Sequence, residues 1–234
     1  MVRRFIDLLL RSLPARCEVC HAWPAQVICA ACMRVHRRPQ HRCLSCALPL
    51  PASQLQCGAC LRRPSPLDQC IAAVSYAYPW SACVTRFKYG KEPGWAEPLA
   101  RMLREAPGAQ ETIRVCDGLI AMPLANARLR ERGFNQALEL ARRLAPEKTR
   151  DQWLLRVRDT PPQSSLSLEE RLGNVKGAFM VAPGHLESVK GKRLTLVDDV
   201  MTSGASLFAA ATALRLAGAG AVSALVFART DRPH

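Results

Sequence analysis

Two sets of residues in this chain have types and spacings that could do chemistry: eight cysteines near the N-terminus and two adjacent aspartates near the C-terminus. The cysteines form four C-x-x-C pairs, Cys17/Cys20, Cys29/Cys32, Cys43/Cys46 and Cys57/Cys60. Each pair makes a tight knuckle whose two sulfurs point at one metal, and two knuckles complete a tetrahedral site of four thiolates. Eight residues separate the first two pairs and ten the last two. Sequential pairing therefore closes two short zinc ribbons, 17–32 and 43–60, while crossed pairing (first with third, second with fourth) meets the same ligand requirement. Four thiolates leave no open coordination position, so the expected Zn2+, one ion per ribbon, is structural and supplies the folding free energy of a segment poor in large apolar residues. His21, His36 and His41 are redundant as ligands and are expected at the surface.

The aspartates lie in Leu194-Thr-Leu-Val-Asp-Asp-Val-Met-Thr-Ser-Gly-Ala-Ser-Leu207. The apolar start predicts a strand over 193–197, with Asp198 and Asp199 at its carboxyl end. Two acids side by side repel, and burying either without a partner is costly. They suit the vicinal hydroxyls of a sugar, held directly or through Mg2+. Thr202, Ser203, Gly204, Ala205 and Ser206 then offer hydroxyls and backbone N–H groups at a helix N-terminus, a ready site for phosphate. The helix is expected to run to about residue 217, with a last strand over 221–228.

The elements that must position these groups alternate between strand and helix. A strand is expected over 70–78, helices over 80–88 and 95–105, and a buried strand over 118–122 stopped by Pro123. Arg128, Arg130 and Arg132 are read as one basic loop between that strand and a helix over 135–144. A basic loop there is where open α/β sheets bind anions. A further strand is expected over 153–157. The polar, proline-containing stretch after it, with a capping box at Ser167–Glu170, reads as a lid. Its anion-facing candidates are Arg156, Arg158, Gln163 and Arg171.

The 234 residues carry a formal net charge of +14, and eight of those charges fall within residues 1–66, which hold ten arginines and no lysine. Arg34, Arg37, Arg38 and Arg42 cluster between the two ribbons, a surface able to meet a nucleic-acid backbone. Trp23 is the main aromatic there, which favours backbone contact over base reading. Residues 2–12 read as a short amphipathic helix rather than a signal peptide, and no apolar run is long enough to span a bilayer. Repeated C-x-x-C spacing points to metal binding in a reducing compartment, the cytoplasm, rather than to a secreted disulfide scaffold. Cys70, Cys83 and Cys116 fall in apolar surroundings and are expected as packed core thiols.

The run from Val197 to Ser206 resembles the PRPP-binding motif of type I phosphoribosyltransferases. Together with Arg132-Gly-Phe-Asn-Gln136, Phe87-Lys-Tyr-Gly90, the Gln163/Arg171/Asn174/Gly177-Ala-Phe179 pattern and the cysteine pairs, it resembles the ComF family over nearly the whole chain. Ser203 and Ser206 stand where threonine is usual, and both keep the hydroxyl. The resemblance implies an α/β fold of the type I phosphoribosyltransferase kind, Rossmann-like with a mostly parallel sheet, over residues 65–234, behind a small double zinc ribbon within 1–64. It implies that Val197 to Ser206 hold PRPP, Asp198 and Asp199 at the ribose hydroxyls and Thr202–Ser206 at the 5′-phosphate. Pro123 and Leu124 would begin the pyrophosphate loop, Arg128 and Arg132 lie near it, and Arg158 to Arg171 form the lid. PRPP with Mg2+ and an acceptor base are the implied ligands. Single-stranded DNA, a DNA-uptake helicase or recombination protein, and a second copy of the chain are the implied partners. Three functions fit: phosphoribosyl transfer linked to DNA uptake, a zinc-containing DNA-binding competence factor without catalysis, and a PRPP-sensing regulator of nucleotide metabolism.

Overall fold

The structure, a computed structural model, describes residues 15–90, 92–158 and 177–231. The amphipathic stretch 2–12, the capping box and the lid candidates Gln163 and Arg171 lie outside them. The chain divides into two compact units, Met1–Pro39 and Gln40–His234.

In the first unit, a knuckle begins at a β-bridge between Ala15 and Ala25. Helix α1 (Ala30–His36) follows, its N-cap Cys29 accepting the N–H of Cys32 on its sulfur. The second unit opens with a knuckle of the same design, and its helix α2 (Gly58–Arg62) starts from Cys57. There Ala47 turns back with φ 54° and its N–H bonds the Cys43 carbonyl at 2.8 Å.

Four strands form a parallel sheet in the order β1 (Gln69–Ser75), β6 (Ala221–Arg229), β5 (Arg193–Met201), β2 (Gly118–Ala121). Their sequences are nearly continuous apolar runs, as strands covered on both faces require. Leu194 and Leu196 pack with Leu207, Ala210, Ala211 and Leu214 of α9 (Ala205–Leu216). The other face meets α3 (Trp80–Tyr89), α4 (Ala96–Arg104) and α7 (Gln136–Leu144); Trp80 stands edge-on to Phe227 of β6 at 6.4 Å. This is the α/β architecture that the resemblance implied. Cys70, Cys83 and Cys116 are buried, as expected.

The structure differs from the sequence expectations in three places. Strand β5 does not stop at Val197 but carries both acids within it, because β6 continues to pair with it to the register Met201–Arg229. The arginine segment is not a loop: Asn126–Arg132 is helix α6, built from good helix formers and ended by Gly133 at φ 80°. The strand within 153–157, β3 (Leu154–Arg156), leaves the main sheet and pairs antiparallel with β4 (Phe179–Val181). Two short helices, α5 (Ala109–Val115) and α8 (Leu186–Val189), complete the set among the described residues.

Candidate functional site

The eight cysteines gather in sequential pairs, Cys17/Cys20/Cys29/Cys32 and Cys43/Cys46/Cys57/Cys60, with all four sulfurs of each group within 4.8 Å of one another. Backbone N–H groups donate to the sulfurs, Cys29 to Cys17 at 3.4 Å and Cys57 to Cys43 at 3.3 Å. Four thiols this close cannot all ionise without a cation. Burial opposes ionisation at Cys17, yet backbone donors hold it down at about 6, while burial and its neighbours push Cys32 far up. The second group divides likewise: burial opposes the Cys57 thiolate but backbone and thiol donors hold it at about 7, whereas burial lifts Cys46 to about 11 and Cys60 beyond it. A dication removes that conflict, and the donor set fits Zn2+. The two groups differ in surroundings. The second is buried throughout and belongs to the core cluster of the sheet, whereas Cys20 of the first is exposed. His21 and His41 are exposed and His36 is half-buried.

At the carboxyl ends of β5 and β2 a cleft of about 610 Å³ opens. One wall is the end of β5 and the first turn of α9. Asp199 is 6% exposed and Asp198 half-buried. Oδ1 of Asp198 accepts the N–H of Asp199 at 2.8 Å. The acids are not left alone, because Lys88, from the last turn of α3, places Nζ 2.9 Å from Oδ1 of Asp199. Burial works against the Lys88 charge, but Asp199 and then Asp198 hold its pKa above the ordinary lysine value. Burial and the neighbouring Asp199 push Asp198 up to about 7, against the pull of Lys88. Val200, Met201, Thr202, Gly204, Ala205 and Ser206 line the cleft. Gly204 turns at φ 85°, and a Cβ there would lie 2.4 Å from Met201 Cε. Val197 is fully buried beneath the acids, and Ser203 accepts the N–H of Ala205 at 3.3 Å rather than lining the cleft.

The other wall runs from Pro123 and Leu124 to the Arg132–Gln136 motif, in which every residue has a place. Arg132 is buried, its Nη1 donates to Gln136 Oε1 at 3.0 Å, and its guanidinium lies 5.2 Å from the Tyr89 ring centroid. Gly133 supplies the left-handed turn, and Phe134 packs on Phe87 at 5.5 Å. Asn135 caps α7 by accepting the N–H of Leu138 and ties down the end of β2 by donating to the Met122 carbonyl at 3.0 Å. Arg132 Nε and Gln136 Nε2 are buried donors with no partner among the described residues. Arg128 joins this wall, and Arg130 is exposed outside it. Of the arginines near β3, Arg156 lines the cleft while the exposed Arg158 does not. Tyr76, Lys88, Tyr89 and Glu131 also line it. Tyr76, Lys88 and Tyr89 fall within residues 66–89, the segment expected from the sequence to build the hood over an acceptor base, but sequence reasoning gave none of the four an individual role. Lys88 and Tyr89 stood inside a quoted motif, and nothing local marked Tyr76 or Glu131.

Arg34 and Arg38 are exposed and Arg37 half-buried around the end of α1. Arg42 sits differently. It belongs to the second unit, where it donates to the Ala47 carbonyl at 3.0 Å, Gln40 Oε1 at 2.7 Å and Ser75 Oγ at 3.1 Å. No helix among the described residues is long and apolar enough to cross a membrane.

No family model matches the chain. Among curated proteins, it is 32% identical over 229 residues to the DNA utilization protein YhgH of Escherichia coli (strain K12), covering 94% of this chain and 99% of that protein. It is 29% identical over 204 residues to Competence protein F of Haemophilus influenzae, covering 82% and 85%. The chain belongs to the ComF family. Its relative in Salmonella typhimurium, also a DNA utilization protein YhgH, is 32% identical over 228 residues at the same coverage as the Escherichia coli protein. The two four-cysteine groups fit the double zinc ribbon that the resemblance implied for such a chain.

Proposed function

We propose that the cleft binds PRPP and that this ComF-family protein transfers a phosphoribosyl group to an acceptor base, releasing pyrophosphate, in the service of DNA uptake or use. The observation that carries the reading is the pair of buried, unpartnered donors, Arg132 Nε and Gln136 Nε2, in the same cleft as the paired acids of β5. A buried donor without an acceptor is costly, and an anionic oxygen is its natural partner. In this reading Arg132, Arg128 and Gln136 take the pyrophosphate. The 202–206 turn at the start of α9 takes the 5′-phosphate, and Asp198 and Asp199 take the ribose hydroxyls. Arg158, Gln163 and Arg171 belong to the covering segment. Mg2+ arrives with the pyrophosphate, since Lys88 already supplies a cation at Asp199. Displacement at the anomeric carbon needs no covalent nucleophile. Charge neutralisation of the leaving group by arginine supplies the catalysis. The link to DNA rests on the names of the relatives, DNA utilization protein and Competence protein F.

Calorimetry with PRPP and Mg2+ tests the site. Binding to the wild type that is lost in Asp198→Asn/Asp199→Asn is expected, and equal binding by both refutes the assignment. A screen of bases for pyrophosphate release then tests transfer. A second reading, single-stranded DNA binding by the first unit, is favoured by the exposed arginines at the end of α1.

A further inference from the structure

The buried guanidinium of Arg229, the last residue of β6, joins the second cysteine knuckle to the phosphate-sized turn. Its Nε donates to the Cys46 carbonyl at 2.8 Å. Its Nη1 donates to the carbonyls of Met201 at 3.2 Å, Thr202, and Thr230 at 2.6 Å. Arg229 is 5% exposed, so this charge has been withdrawn from water, and its hydrogen bonds among the described residues go to carbonyls and the Thr230 hydroxyl. A second link runs beside it. The N–H of Cys70 donates to the Leu44 carbonyl of the same knuckle at 2.7 Å, and the Cys70 thiol touches the Met201 sulfur at 3.6 Å. Met201 in turn packs under Gly204, where no Cβ fits. The carbonyls of 201 and 202 are fixed from below, and the position of the N–H groups that follow them depends on that fixing.

We propose that Arg229 is a positioning residue for the 201–206 turn, and that the Cys43/Cys46/Cys57/Cys60 site, not the Cys17/Cys20/Cys29/Cys32 site, sets the shape of the cleft. A metal at the second site fixes Cys46. Cys46 fixes Arg229 through its carbonyl, and Arg229 holds the turn. Losing that metal releases the turn without touching Arg132 or Gln136. The ligand named in the test rests on the proposed PRPP-type reading; the coupling itself does not.

The test uses the full chain and three readouts: bound zinc, amide hydrogen exchange over 200–207, and calorimetry with ribose 5-phosphate and with inorganic pyrophosphate. Arg229→Met is expected to keep both zinc ions, to speed exchange over 200–207, and to weaken ribose 5-phosphate at least about tenfold while pyrophosphate stays within about twofold. Arg229→Lys, which keeps the charge but cannot span Cys46 and Thr202 as a fork, is expected to fall between, and serves alone if the methionine variant does not fold. Cys60→Ser is expected to speed the same amides, and Cys20→Ser to leave them unchanged. Unchanged exchange in every Arg229 variant that folds, or equal effects from the two cysteine variants, overturns the proposal. If the wild type ignores ribose 5-phosphate, the reading of the cleft fails, and the exchange experiments still decide the coupling.

Discussion

Nζ of Lys88 stands 2.9 Å from Oδ1 of Asp199, with side-chain exposures of 18% and 8%. The acidic end of β5 is thus part of an ion pair reaching across from α3. Removing one partner of a buried pair leaves the other charge uncompensated, which costs more than the pair itself contributes. Lys88→Met is expected to destabilise the second unit by about 3–5 kcal/mol. The double variant Lys88→Met/Asp199→Asn should recover most of that, because the carboxylate that Lys88 paired with is then a neutral amide. Denaturant midpoints of the four members of this cycle give the coupling directly. An additive cycle would mean that the pair contributes nothing.

Asp198 gives the pH dependence. Burial and Asp199 raise its pKa from 3.8 to about 7. Between those values the folded protein keeps a proton that the unfolded chain gives up, so the contribution favours folding at low pH. It is lost as pH rises toward 7, and is constant above that. The stability of the wild type minus that of Asp198→Asn is expected to fall from pH 4 to pH 7 and then level off. Equilibrium unfolding at four or five pH values measures it, and a difference that rises over this window would contradict the environment described for Asp198.

Gly204 is constrained twice, by its φ of 85° and by the space it faces. A Cβ would come within 2.4 Å of Met201 Cε and 3.0 Å of the Phe208 ring. Gly204→Ala is expected to cost about 1–3 kcal/mol and to weaken phosphate-containing ligands. Gly94→Ala, where nothing lies within 4 Å, is the control and should stay within about 0.5 kcal/mol. Thermal melts and ligand calorimetry on both variants check this.

The sequence made the strand–turn–helix around Asp198 legible because local rules govern it: an apolar run, small polar residues, then an alanine-rich helix. Loop length favours sequential pairing of the cysteines but leaves the crossed pairing open, and the sequential one is found. What was not legible is tertiary. Lys88 looks like a basic residue in the last turn of a helix, a position that suits any lysine, and only the docking of α3 brings it to Asp199. The arginines of α6 looked like a loop because three charges followed a proline, although Ala127 to Arg132 are good helix formers. The two knuckles share a spacing, which sets ligand geometry. It says nothing of packing, so the burial of the second against Leu48, Leu67 and the sheet was hidden. Arg42 reads like Arg34, Arg37 and Arg38 in sequence, yet only Arg42 is tied to Ala47 and Ser75.

That last contrast sets Arg42, held inside the second unit, apart from the arginines at the end of α1. If the end of α1 meets a single strand, each phosphate contact there contributes about 0.7 to the slope of log affinity against log salt. Replacing Arg34, Arg37 and Arg38 together by alanine is expected to reduce the slope by about 2 and leave the unfolding midpoint of the sheet unit where it was. Arg42→Ala should do the reverse. Burial already holds its pKa below the ordinary arginine value, against the pull of Asp231. Its loss leaves the Ala47 carbonyl without that donor, so the stability should drop by about 1–3 kcal/mol with the salt slope unchanged. Fluorescence anisotropy of a labelled oligonucleotide over a salt series, beside denaturant titrations of the same proteins, reads both. Equal slopes for the wild type and the triple variant would remove these arginines from the DNA-binding reading.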